Sequence, residues 1–196
     1  TGQWSRTVGQ AQFGQEIFGQ TLGIIGLGNI GAAIARRGFH GFNMNILYHG
    51  RREKLELAQP LNARFYELDE LLEQSDFIVV AVDLNANTQH LIDAEAFKKM
   101  QSHAVFVNIS RGAVVDEQAL IQALEQKQIF AAGLDVYEKE PLQDSALFQL
   151  HNVVTLPHVG SATSVTRKKM AELAYQNLVK ALEGGQPQYV VNPEFR

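Results

Sequence analysis

Gly26, Gly28 and Gly31 stand in the spacing G-x-G-x-x-G, with Leu27, Asn29 and Ile30 among them. Such a turn can hold a dinucleotide pyrophosphate when a strand leads in and a helix leads out. Gly26 permits the tight turn, Gly28 lets backbone approach the phosphates, and Gly31 lets the helix pack closely on the strand. The helix N-terminus then offers free N–H groups and a positive dipole end to the anion. The spacing alone recurs by chance, and a structural glycine turn is the competing account. Here the apolar run Leu22 to Ile25 precedes the turn and a helical pattern from Ile30 to about His40 follows. That context is what the chemistry requires.

The next informative stretch is Tyr48-His49-Gly50-Arg51-Arg52. In an NAD site a carboxylate about twenty residues beyond the glycines accepts the ribose hydroxyls, whereas an arginine accommodates a 2′-phosphate. No carboxylate stands at the end of this run; Arg51 and Arg52 do. A guanidinium meets phosphate with paired, charge-assisted donors, each worth roughly 1.5–3 kcal/mol or about ten- to a hundred-fold. NADP(H) is therefore the expected cofactor, with NAD(H) possible on the same turn. The bland alternative is a solvated arginine pair.

Three further stretches fall at or just past apolar runs. In Asn108-Ile109-Ser110-Arg111-Gly112, Arg111 could clamp a carboxylate with its planar fork. Leu134 to Pro141 crowds Asp135, Glu138 and Glu140 into a short loop. Leu156 to Thr163 sets His158 between Pro157 and Gly160. Histidine is the side chain best suited to proton transfer near neutral pH. Its place after a buried run raises His158 above His40, His49, His90, His103 and His151. No metal is expected.

The elements that must position these residues follow from the hydropathy pattern. Strands are expected at Leu22 to Ile25, Asn45 to Tyr48, Arg64 to Tyr66, Phe77 to Val82, Ala104 to Asn108, Phe130 to Leu134 and Val153 to Leu156. The unbroken run Phe77 to Val82 marks a strand buried on both faces. Helices are expected from Ile30, with Ile30, Ala33, Ile34 and Arg37 on one close-packed face. Others are expected at Leu68 to Gln74, Ala94 to Met100, Glu117 to Gln126 and Ser164 to Glu183. Strands alternating with helices imply parallel crossovers, hence a doubly wound α/β sheet of about seven strands. No linker or repeat divides the 196 residues, so one domain is expected, with residues 1–20 a lead-in anchored by Trp4, Phe13, Ile17 and Phe18.

Composition narrows the partners. Hydrophobic residues make up 45% and charged residues 19%, enough for a substantial core. A net charge of −4 gives no electrostatic reason to expect nucleic acid or an anionic membrane as partner. With no cysteine, thiolate chemistry and disulfides are excluded, which agrees with a cytoplasmic protein. No run has the length of a membrane span. The first residue is Thr1 rather than Met, which points to a cut or processed N-terminus.

Taken together, Leu22 to Gly31, Ser75-Asp76, Asn108 to Gly112, Asp135 to Pro141 and His158 to Thr163 resemble the D-isomer-specific 2-hydroxyacid dehydrogenases. The likeness is closest to the glyoxylate/hydroxypyruvate or 2-ketogluconate reductase branch, and covers nearly the whole chain. It implies an oxidoreductase that reduces small 2-oxo acids to D-2-hydroxy acids. Arg111 falls on the arginine that binds the substrate carboxylate and carbonyl, His158 on the acid–base histidine, and Glu140 on the glutamate that hydrogen-bonds it. Asp135 matches the contact to the nicotinamide carboxamide. Gly26 to Gly31, His49, Arg51, Arg52, Val82, Thr88, Asn108 to Arg111, His158, Gly160 and Ser161 match cofactor positions. Glu138 and Lys139 match none and are expected to be solvated.

Two departures stand out. Asp83-Leu84-Asn85 replaces the family's proline–leucine–threonine, placing a carboxylate where it could weaken phosphate binding unless it points away. The family's substrate domain comes mainly from a preceding segment, so the chain reads as the cofactor half of a longer enzyme. Alone it is expected to turn over little or no substrate. The helix at 164–184 would pack towards that missing domain. The resemblance also implies a homodimer, through the anchors of residues 1–20 or the apolar residues from Ile121 to Phe130. A dinucleotide-sensing module without turnover is the alternative.

Overall fold

The computed structural model describes residue 9, residues 13–190 and residue 192. Among these residues seven strands form one sheet: β1 (Thr21–Ile25), β2 (Asn45–His49), β3 (Arg64–Phe65), β4 (Phe77–Val80), β5 (Val105–Asn108), β6 (Ala131–Leu134) and β7 (Val153–Thr155). Their order is β3-β2-β1-β4-β5-β6-β7, and every pair is parallel. The helices are α1 (Asn29–Phe42), α2 (Leu55–Ala58), α3 (Leu68–Gln74), α4 (Ala94–Lys99), α5 (Glu117–Glu125) and α6 (Ser164–Leu182). The expected doubly wound α/β sheet is what forms. Parallel neighbours need long crossovers, and the helices supply them.

Each face of the sheet has its own core. Leu22, Ile24, Ile46, Tyr48 and Val79 pack with Ala32 and Ala35 of α1 and Ala58 of α2. Ile25, Ile78, Val80, Phe106 and Leu134 pack with Leu71 and Leu72 of α3, Phe97 of α4, and Leu120 and Leu124 of α5. The chain runs outward through β2 and β3, then returns to lay β4 against the other side of β1. The reversal opens a crevice beyond the C-terminal ends of β1 and β4, where doubly wound sheets bind ligands.

The α1 face differs from the expectation. Gly31, Ala32, Ala35 and Gly38 are its buried residues; of the expected face, Ala33 and Ile34 are half-buried, Ile34 packing against the core, whereas Ile30 is 62% exposed and Arg37 is exposed. Small side chains let the helix axis approach: a Cβ on Gly38 would stand 2.8 Å from Leu22 Cδ2. At the N-terminal end of the central strand β4, Ser75 and Asp76 act as staples. Ser75 Oγ donates to Leu71 O at 2.6 Å, while Asp76 Oδ2 accepts the Thr21 N–H at 2.8 Å and Oδ1 pairs with His103 Nε2 at 2.7 Å. Their place in the motif is therefore structural.

The chain separates into two compact units, Thr1–Pro157 and His158–Arg196. The first holds the whole sheet and α1 to α5. The second holds α6, capped by Thr163 Oγ1 accepting the Thr166 N–H at 3.1 Å, and none of the residues of α6 is buried. Of the lead-in anchors, Phe13, Ile17 and Phe18 are exposed, and Trp4 lies outside the described residues. The second set of candidate interface residues is mostly core: Ile121, Leu124 and Ile129 are buried, and only Phe130 among the large ones reaches solvent. Ile121 and Leu124 close the inner face of α5, and none of the three buried residues is open to a partner.

Candidate dinucleotide site

Gly26 takes φ +103°, which a side chain rarely adopts, and a Cβ there would stand 2.7 Å from Ala81 O. The turn is tied to both neighbouring strands: the Gly26 N–H donates to His49 O at 2.9 Å and the Ala81 N–H to Ile25 O at 2.8 Å. A Cβ on Gly31 would overlap the Gly26 carbonyl oxygen, so the helix start presses directly on the turn. Gly28, by contrast, faces open space, with nothing within 4 Å of a built Cβ. It caps α1 without a side-chain bond, and no acidic residue occupies the first turn. Among the described residues the N–H groups of Asn29, Ile30 and Gly31 meet no acceptor. Gly26 makes the turn, Gly31 the close packing, and Gly28 leaves open space beside a helix start whose free N–H groups and dipole favour an anion.

Those residues open on a cavity of about 680 Å³ lined by Gly26, Leu27, Gly28, His49, Arg51, Arg52, Lys54, Val82, Asp83, Asn85, Thr88 and others. Most of the expected cofactor residues around the glycine turn are therefore on one wall or another of a single space. Asp83 is among the lining residues too, so the departure noted in the sequence stays at the site. Its loop is ordered by its own groups: Thr88 Oγ1 donates to Asp83 O at 2.7 Å and accepts the Asn85 N–H at 2.8 Å, and Asn85 Nδ2 donates to Asp83 Oδ2 at 3.3 Å.

Beyond β5 and β6 a second group assembles. Asn108 is 1% exposed; its Oδ1 accepts the Ser110 N–H at 3.0 Å and the Ser110 hydroxyl at 2.9 Å, and its Nδ2 donates to Arg111 O at 3.1 Å. The carboxamide thereby shapes the loop that presents Arg111, whose side chain is exposed and donates to Ser110 O at 2.6 Å. Ile109 packs on the α1-side core. Asp135 is buried, and its N–H donates to Asn108 O at 3.1 Å. A Cβ on Gly112 would land on the Tyr137 carbonyl, so only glycine lets the two loops meet. Glu140 Oε1 accepts the Tyr137 N–H at 3.1 Å. Tyr137 Oη donates to Leu156 O at 2.8 Å, and burial pushes its phenol upward.

Glu138 is exposed, as expected, but it is also paired. Its Oε1 pairs with His90 Nε2 at 2.9 Å and accepts the Glu117 N–H at 3.2 Å, while Glu117 Oε2 accepts the Glu138 N–H at 3.1 Å. This reciprocal clasp ties the loop bearing Glu140 to the start of α5 and to the loop bearing Thr88. Burial pushes the Glu117 carboxyl up, the Glu138 N–H pulling it partly back. No pattern in the sequence announces a pair 21 positions apart.

His158, Gly160 and Ser161 belong to the second unit. His158 is exposed and adopts φ +52°, a left-handed conformation uncommon outside glycine. Among the described residues no group of three or more His, Asp or Glu could hold a metal ion, and no helix is long and apolar enough to cross a membrane.

The parallel sheet with its glycine turn and cavity defines a dinucleotide-binding domain. Residues 1–160 match the D-isomer specific 2-hydroxyacid dehydrogenase, NAD binding domain, and the chain belongs to that family. It is similar to glyoxylate/hydroxypyruvate reductase B of Cronobacter sakazakii, 50% identical over 194 residues that make up 98% of this chain and 60% of the relative. A glyoxylate reductase from Paecilomyes thermophila matches with a TM-score of 0.87 and 41% identity, over 96% of this chain and 56% of that one. D-lactate dehydrogenase with NAD+ from Lactobacillus jensenii matches with a TM-score of 0.85 and 28% identity, over 94% of this chain and 59% of that one. The chain spans about 60% of the length of the curated relatives.

Proposed function

We propose that this chain is the nucleotide-binding half of an NADPH-preferring reductase that converts a small 2-oxo acid to the D-2-hydroxy acid. Glyoxylate and hydroxypyruvate are the proposed substrates, supported by the name of the Cronobacter relative; 2-ketogluconate is the larger alternative of the same class. The observation that carries the cofactor choice is the end of β2, where Arg51 and Arg52 line the cavity and no carboxylate of that strand end does. An anion with an additional phosphate gains from two guanidiniums there. The open α1 start and the gap at Gly28 fit a pyrophosphate.

The bound nicotinamide supplies the hydride. Arg111 clamps the substrate carboxylate and draws electron density from the carbonyl. The alkoxide that follows needs a proton, which His158 delivers. Glu140 is the supporting carboxylate, favouring a charged imidazole, and Asp135 orients the carboxamide. These roles rest on the family resemblance. The same reading makes the protein a cytoplasmic homodimer that pairs through this half, with Phe13, Ile17 and Phe18 as the exposed apolar candidates.

Absorbance of NADPH with glyoxylate or hydroxypyruvate tests the reading. The chain alone is expected to turn over little, because reacting groups must be held closely and water excluded. Joined to the part of the Cronobacter relative that it does not match, it should oxidise NADPH with either acid. Failure of the joined protein with both acids would contradict the reductase reading. Rates of about 1–1000 per second from the chain alone would contradict the half-enzyme reading.

A further inference from the structure

The loop that leaves β2 carries the cations of the cavity, yet nothing inside it fixes its shape. Among the described residues, Gly50, Arg51, Arg52 and Glu53 take part in no hydrogen bond or ion pair. The loop is held only at its ends. At the start, His49 O accepts the Gly26 N–H at 2.9 Å, and the His49 ring Nδ1 lies 3.0 Å from Tyr66 O. At the far end the Lys54 N–H donates to Tyr48 Oη at 3.0 Å. Tyr48 is 1% exposed, and its ring meets Phe65 edge-on at 5.5 Å. A hydroxyl fixed in the core of β2 thus reaches six residues forward to fasten the loop. The same point sets the start of α2, because Lys54 O accepts the N–H groups of Leu57 and Ala58 at 3.0 and 2.9 Å.

We propose that Tyr48 is a positioning residue for cofactor choice. Its buried hydroxyl holds the Gly50–Lys54 loop in the shape that presents Arg51, Arg52 and Lys54 together to a phosphate on the 2′ position of the adenosine ribose. The inference rests on the NADPH reading above and adds two things to it, a third cation and the group that orders all three. Lys54 lines the same cavity as the arginine pair. A phosphate monoester carries close to two negative charges near neutral pH and accepts several donors at once. Three cations on one short loop answer that charge only if the loop does not first have to be ordered at the expense of binding. NADH, lacking that phosphate, gains nothing from the loop. Tyr48 therefore acts on the difference between the two cofactors and not on their common half.

Tyr48→Phe keeps the ring and removes only the hydroxyl. NADPH and NADH fluorescence titrations of the 196-residue chain, with and without the substitution, test the proposal directly. NADPH binding should weaken by about three- to ten-fold, the range of one net hydrogen bond, while NADH binding changes by less than about two-fold. Backbone hydrogen exchange at Lys54 should accelerate in the variant, because its N–H has lost its acceptor. If the parent chain prefers NADPH but Tyr48→Phe leaves the preference intact, or weakens both cofactors equally, the proposal is overturned and the NADPH reading stands. An unchanged exchange rate at Lys54 overturns it as well. If the parent chain shows no preference for NADPH, the reading and the proposal fall together.

Discussion

Gly31→Ala sets packing against helix propensity. In an exposed helix interior, alanine is favoured over glycine by roughly 0.5–1 kcal/mol. Gly31 is buried, and the added Cβ would overlap the Gly26 carbonyl oxygen and lie 3.1 Å from Ile24 Cγ2. The carbonyl belongs to backbone tied to His49 at 2.9 Å, so it cannot swing aside as a flexible side chain would. Overpacking costs about 1–3 kcal/mol; against fixed backbone the upper half of that range applies, and subtracting the propensity gain leaves a net loss of about 1–2.5 kcal/mol. At about 2–4 °C per kcal/mol for a protein of this size, Tm should fall by about 2–10 °C. The assay is a circular-dichroism melt, with Gly41→Ala as the control. Gly41 lies near the exposed end of α1 with nothing within 4 Å of a built Cβ, and its Tm should hold or rise. If Gly31→Ala melts at or above the parent chain, the close-contact argument is refuted.

Asn108→Ala removes the carboxamide that shapes the Arg111 loop and leaves the buried Ser110 N–H without its acceptor. A loss of about 1–3 kcal/mol is expected, read as a lower urea midpoint at constant slope. Burial raises the Glu117 carboxyl, so the folded chain holds that proton more tightly than the unfolded chain does. Stability should then decline as pH rises from the ordinary carboxylate value through the folded one, and Glu117→Gln should flatten the decline; parallel melts of the two proteins from about pH 4 to pH 7 would contradict this. Asp83→Asn removes a carboxylate from the cavity lining. NADPH should bind about two- to three-fold more tightly at low ionic strength, with the gain shrinking in salt because the group is exposed.

Sheet strands were the most legible elements, because burial on both faces leaves continuous apolar runs such as Phe77 to Val80. The glycine turn was legible as a turn, with β1 before it and α1 after it. The α1 face was misread by one position, since Gly31, Ala32, Ala35 and Gly38 carry little hydropathy while Ile30 carries much. Tight helix–strand approach selects small residues, and apolar periodicity does not register them. The four-residue α2 and the single 3-10 turns are too short to show any period. Glu138 and His90 meet because both their loops are tied to the stretch from Ala113 to Glu117: the His90 and Ile92 N–H groups donate to Ala113 and Val114 O at 2.8 and 3.1 Å, and Glu138 clasps Glu117. Contacts of that kind depend on the finished fold. The sequence does carry one sign of the meeting of the two loops: a glycine, Gly112, stands directly after the strand-end arginine, where the Tyr137 backbone passes.

The central claim is that the cavity at the ends of β1, β2 and β4 is an NADP half-site. Parallel fluorescence titrations with NADPH and NADH of the parent chain and of the Arg51→Ala, Arg52→Ala double variant test it most directly. The account predicts NADPH bound at least about ten-fold more tightly than NADH, with the advantage lost in the double variant and NADH binding preserved. NADH bound as well as NADPH by the parent chain, or a preference that survives loss of both arginines, would contradict it.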